Sequence, residues 1–204
     1  MPGPAGPGRV PFIGLTGGIG AGKSTALEAL EQLGAATLSA DGIVHELLAN
    51  PEVASALASR LGEQVIADDG RVDRSAVATH IFESPDDRAW LEGMLWPRVG
   101  ARVAEWRSEV QDSQPLPLAA VVEVPLLFES GMEAAFDATI AVVADEELRA
   151  ERAAARGHTA VAERAGRQLS QGEKARRADY AVRNDGPREE LKAELSRVLA
   201  TIRT

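Results

Sequence analysis

The 204-residue chain contains no cysteine, which excludes a disulfide framework and any metal site built on thiolates. That absence fits a reducing cytoplasm, the expected location. Aromatic residues make up 4%, so platforms for stacking the bases of a nucleic acid are scarce. Positive charge is also short. Twenty-two Lys and Arg against 31 Asp and Glu leave a net charge of −9, the wrong sign for a protein whose main partner is a phosphate backbone. No run approaches the roughly 18 apolar residues that a membrane span needs, so no membrane partner is expected. Internal repeats are absent, and no feature fixes an oligomeric state. Residues 1–9 are rich in proline and glycine, lack the apolar centre of a signal peptide, and read as a disordered leader. Hydrophobic residues reach 45%, enough for the core of one domain with room for an insert. Small anions held by local positive groups are the partners this composition favours.

Glycine is plentiful in one place. An apolar run, Val10 to Leu15, reads as a buried strand. Gly17, Gly18, Gly20 and Gly22 follow, then Lys23, Ser24 and Thr25. A helical pattern begins at once, with Ala26, Leu27, Ala29, Leu30 and Leu33 on one face and Gly34 at its stop. The spacing Gly17-x-x-x-x-Gly22-Lys23-Ser24 is a complete P-loop. Glycines at 18, 20 and 22 let the main chain wrap an anion, and the N–H groups around Ala21 and the helix start point at phosphate oxygens. Lys23 supplies charge for the β- and γ-phosphates. Ser24 offers a hydroxyl for Mg²⁺, with Thr25 beside it as the other candidate. The motif predicts binding of a nucleoside triphosphate and leaves the fate of its γ-phosphate open.

Ala36 to Leu38 read as a second strand, followed by a helix with Ile43, Val44, Leu47 and Leu48 facing in. Asp41 therefore lies at the carboxyl edge of the sheet, where open α/β folds bind ligands. It reads equally as a base or Mg²⁺ partner and as a helix cap. His45, one turn on, reads on its own as a surface histidine. Residues 42–112 are nearly all helical, with Pro97 expected to end or kink one helix. A parallel crossover needs only about a dozen residues, so this insert is assigned to a second substrate. Leu116 to Val124 and Phe136 to Val143 are the next strands, and Glu123 or Glu129 stands where a Walker-B carboxylate is expected. Residues 145–177 are rich in arginine. Arg149, Arg152 and Arg156 fall on one helical stripe, either a solvated face or positive charge for a migrating phosphoryl group. Tyr180 to Val182 and a closing amphipathic helix complete the chain.

Taken together, residues 10 to 200 resemble dephospho-CoA kinases. The resemblance rests on Leu15 to Thr25, Ala40-Asp41, Asp69-Gly70-Arg71-Val72-Asp73-Arg74, Val124-Pro125-Leu126-Leu127-Phe128-Glu129, Phe136-Asp137, Arg152 and Arg156, Ala178-Asp179-Tyr180 and Asn184-Asp185-Gly186. It implies an α/β P-loop core with a five-stranded parallel sheet (10–41, 113–144 and 178–204), a helical CoA-binding insert (42–112) and a small lid (145–177). It implies that ATP, with Mg²⁺, phosphorylates the ribose 3′-hydroxyl of dephospho-CoA. Asp41 matches the acidic residue near the acceptor hydroxyl, and Arg152 and Arg156 match the lid arginines. Asn184, Asp185 and Gly186 match the loop near adenine. Acceptor contacts are expected at His45, Arg74, Pro125, Leu126 and Leu127. The chain departs from the family pattern at Ser39 and Glu123, where aspartates are usual, and at Trp96, where histidine is expected. Two other readings are a different small-molecule or nucleotide kinase on the same core and a nucleotide-dependent switch. A guanine-specific switch should carry Asn-Lys-x-Asp, which is absent.

Overall fold

A computed structural model describes residues 9–155 and 168–203. The chain forms two compact units, one of residues 1–39 with 106–204, the other of residues 40–105. The larger unit holds five strands: β1 (Phe12–Gly17), β2 (Ala36–Ser39), β3 (Ala120–Glu123), β4 (Ala138–Val143) and β5 (Tyr180–Arg183). They form one parallel sheet in the order β2-β3-β1-β4-β5. Every residue of β1 is buried, as an unbroken apolar run in the middle of a parallel sheet should be. Helices α1 (Lys23–Gln32) and α8 (Arg188–Ile202) bring Ala26, Leu30, Leu191, Leu195 and Leu199 onto Ile13, Leu15, Val121, Ile140 and Val142. A Cβ on Gly14 would stand 3.0 Å from Phe136 and 3.1 Å from Leu127, so β1 accepts only glycine there without displacing its neighbours. Phe136 stacks on Phe12 with ring centroids 4.6 Å apart.

The strand at 116–124 is shorter than its apolar pattern predicts. Pro117 cannot donate to a ladder, and regular pairing begins only at Ala120. Asp179 locks the start of β5 to β4. Its Oδ2 accepts from the Thr139 N–H and hydroxyl, each at 2.8 Å, and its own N–H donates to Thr139 Oγ1 at 3.0 Å.

The second unit contains α2 (Ala40–Leu48), α3 (Pro51–Leu61), α4 (Arg74–Glu83) and most of α5 (Pro85–Gln111). Asn50 caps α3 by accepting from the Glu52 N–H at 2.8 Å, and Asp73 caps α4 by accepting from Ser75 and Ala76. Leu48, Val53, Leu57, Leu61, Val65, Val77, Leu91 and Leu95 form its core. Pro97 does not end α5, which runs unbroken through it. One lost hydrogen bond is outweighed by the buried stripe Leu91, Leu95, Val99, Val103 and Val110. The unit spans 40–105 rather than the expected 42–112. The end of α5 belongs to the sheet unit because Arg107 lies 4.3 Å over the Phe12 ring and Gln111 accepts from the Val10 N–H at 3.0 Å.

Of the expected leader, only Arg9 is described, and it pairs with Asp137 at 2.7 Å. Residues 145–177, the expected lid, contain α6 (Glu146–Ala155) and α7 (Gln171–Arg177), both within the sheet unit. Leu57 is fully enclosed. Leu57→Ala is therefore expected to lower stability by about 2–5 kcal/mol, read as a shift in urea midpoint at constant slope.

Candidate active site

The site in the sheet unit is built where β1 gives way to α1. Gly20 and Gly22 have φ of +77° and +89°, a backbone region that side chains with a Cβ rarely enter. A Cβ on Gly20 would collide with the Arg149 carbonyl oxygen, and one on Gly22 with the Asn184 amide. Gly18, Gly20, Ala21 and Gly22 therefore form a loop whose shape and neighbours both demand its sequence. Lys23 opens α1, and its Nζ donates to the Gly18 carbonyl at 3.4 Å. Ser24 follows with an exposed side chain, and Thr25 is half-buried.

Asn184, just past β5, is buried and joins three segments. Its Nδ2 donates to the Ala21 carbonyl at 2.9 Å, its N–H donates to Val143 at 2.8 Å, and its carbonyl accepts from Arg152 at 3.0 Å. Asp185 accepts from the Asp145 N–H at 2.6 Å and from Arg183 Nε at 2.8 Å. The Arg183 bond, helped by the Asp145 amide, holds its carboxyl below the ordinary aspartate value. Gly186 sits so that a Cβ would press on Glu190. Arg152 thus lies beside the loop, while Arg156 falls outside the described residues.

Arg149 was legible only as part of a stripe. Its Nε donates to the Ile19 carbonyl at 3.0 Å, and it pairs with Glu146 at 2.6 Å. A cleft of about 210 Å³ opens beside it, lined by Gly18, Ile19, Glu146, Arg149 and residues 168–171. The two carboxylates left open by the sequence separate clearly. Glu123 ends β3, half-buried, and accepts from the Ser39 hydroxyl at 3.2 Å across the β2–β3 register. Glu129 instead pairs at 3.0 Å with Lys174, a completely buried lysine of α7. Pro125 and Leu126 are half-buried, but Leu127 is fully enclosed against Gly14, so its side chain is core and cannot meet an acceptor.

In the second unit, Asp41 is exposed in the first turn of α2, where a negative charge suits the helix dipole. Arg74, the first residue of α4, presents its guanidinium to the His45 ring at 3.4 and 3.5 Å from the two nitrogens. These residues are 29 positions apart, so their meeting is a product of the fold. Among the described residues, no group of three or more His, Asp or Glu could hold a metal ion.

The model of the dephospho-CoA kinase family matches residues 11–190. A dephospho-CoA kinase from Deinococcus radiodurans is 38% identical over 201 residues, covering 97% of this chain and 95% of its own. Among solved structures, TT1252 from Thermus thermophilus is similar with a TM-score of 0.80 at 33% identity, covering 95% of this chain and 98% of that one. A dephospho-CoA kinase from Campylobacter jejuni aligns with a TM-score of 0.67 at 25% identity, covering 93% and 96%.

Gly20→Ala forces a Cβ into both a positive φ and the α6 backbone. It is expected to weaken triphosphate binding by about 5- to 150-fold, from a strain of about 1–3 kcal/mol, measured by calorimetric titration.

Proposed function

The chain belongs to the dephospho-CoA kinase family, and on that footing we propose how its residues carry a phosphoryl group from ATP to the ribose 3′-hydroxyl of dephospho-CoA. The observation that carries the reading is the complete P-loop with Arg149 and Arg152 gathered on its backbone and its Asn184 partner. The loop N–H groups take the triphosphate tail. Lys23 exchanges the Gly18 carbonyl for phosphate oxygens. Arg152, with Arg156 from the same stripe, offsets charge on the migrating group, and Arg149 adds a cation at the loop's apex. Asn184, Asp185 and Gly186 form the adenine side.

Asp41 orients the 3′-hydroxyl and takes its proton. An aspartate needs no special environment to be ionised at neutral pH. His45 and Arg74 form a paired cationic and aromatic surface for the acceptor, and Pro125 and Leu126 are its contacts in the sheet unit. The donor set fits Mg²⁺, an ion held through substrate phosphates and few protein ligands rather than a cage of carboxylates. Ser24 would hold it, supplying charge neutralisation at the β- and γ-phosphates. The product, CoA, together with the absence of a membrane-crossing helix among the described residues, agrees with work in the cytoplasm.

A coupled ATP assay with dephospho-CoA as sole acceptor tests the reaction, with phosphate expected on the 3′-oxygen and turnover lost to a chelator and restored by Mg²⁺. Asp41→Asn should lower kcat by about 10²–10⁴-fold while Tm and the KM for ATP hold. Near-normal kcat would remove the base assignment. Arg74→Ala should raise the KM for dephospho-CoA and leave that for ATP unchanged.

A further inference from the structure

Lys174 is among the largest side chains the core encloses completely, and the scheme above leaves it without a task. It belongs to α7, yet its ammonium reaches three residues in two other segments. It pairs with Glu129 Oε1 at 3.0 Å, donates to the Pro125 carbonyl, and meets Thr16 Oγ1 at 3.4 Å. Thr16 itself donates to the Pro125 carbonyl at 3.3 Å. Glu129 Oε1 also accepts from the Leu169 N–H at 2.8 Å, and Leu169 lines the cleft beside Gly18 and Ile19. Burial draws the ammonium below the ordinary lysine value, against the pull of Glu129.

Stability alone does not call for this arrangement. Replacing a buried ion pair with apolar residues of similar volume is often neutral or stabilising. What the pair does achieve is geometric. Thr16 is the last residue before the glycine loop begins at Gly17, and Pro125 opens the turn that follows β3. We propose that Lys174, paired with Glu129, is a positioning residue that fixes the triphosphate loop and the acceptor-side turn in one register. The inference rests on the reading of Pro125 and Leu126 as acceptor contacts. Its effect falls on alignment in the ternary complex rather than on the binding of either substrate alone. A displacement of about 1 Å at reacting groups can cost 10²-fold in rate.

The test compares Lys174→Met with the double variant Lys174→Met/Glu129→Leu, which leaves no buried charge behind. Equilibrium ATP binding first counts the competent sites in each preparation, and turnover is then expressed per competent site. Both variants are expected to bind ATP within about threefold of the parent while kcat per competent site falls about 10²-fold. A pair that served folding only would reduce the number of competent sites and leave the rate of each untouched. Parental turnover per site in either variant overturns the proposal, as does a loss confined to ATP affinity. Failure of the acceptor-contact reading shows separately, as an unchanged KM for dephospho-CoA in Leu126→Ala.

Discussion

A main chain that turns with positive φ at Gly20 and Gly22 has no ladder of its own to hold it. Its carbonyls must find partners outside a regular ladder. Here three of these carbonyls are met by side chains. Gly18 is bonded by Lys23, Ile19 by Arg149 and Ala21 by Asn184. The Ala21 N–H adds one bond inside the loop, to the Gly18 carbonyl at 3.2 Å, so side chains and one internal bond together hold its shape. The rest of the sheet unit serves that arrangement. The central strand feeds the loop, β5 delivers Asn184 to it, and the first turns of α6 deliver the arginines.

The charge pattern follows the same logic. A chain with a net charge of −9 repels anions at long range, yet its substrates carry phosphates. Selectivity then depends on a few cations brought close together at one edge of the sheet. One of these is steadied by an acid, Arg149 by Glu146. Arg152 is held by a backbone carbonyl instead, so its charge meets no acid in that bond.

Features set by local chemistry were legible before the fold. The P-loop and the five apolar runs of the sheet are written in neighbouring residues. What escaped was decided by distant packing. The helix does not end at Pro97 because a buried stripe outweighs one missing donor. Leu127 lies in an apolar run that reads the same whether it faces a ligand or Gly14. Periodicity groups Arg149 with Arg152 but does not say which of them touches the loop. Lys174 sits in a charged helix that looks solvated in sequence, and only the sheet beneath it makes it a core residue. The Arg74–His45 contact joins two helices and leaves no trace in spacing.

The continuous helix α5 also gives the protein an optical property. All three tryptophans, Trp90, Trp96 and Trp106, ride on it, the middle one exposed and the outer two half-buried. Intrinsic emission excited in the red edge of the ultraviolet is therefore the signal of a single rod, Pro85–Gln111. Because the division between the two units falls between Glu105 and Trp106, one fluorophore reports from the sheet unit and two from the helical one. Single-tryptophan versions would separate the two colours without any dye, and in a chain free of thiols one added cysteine would accept an energy-transfer acceptor with no competing site.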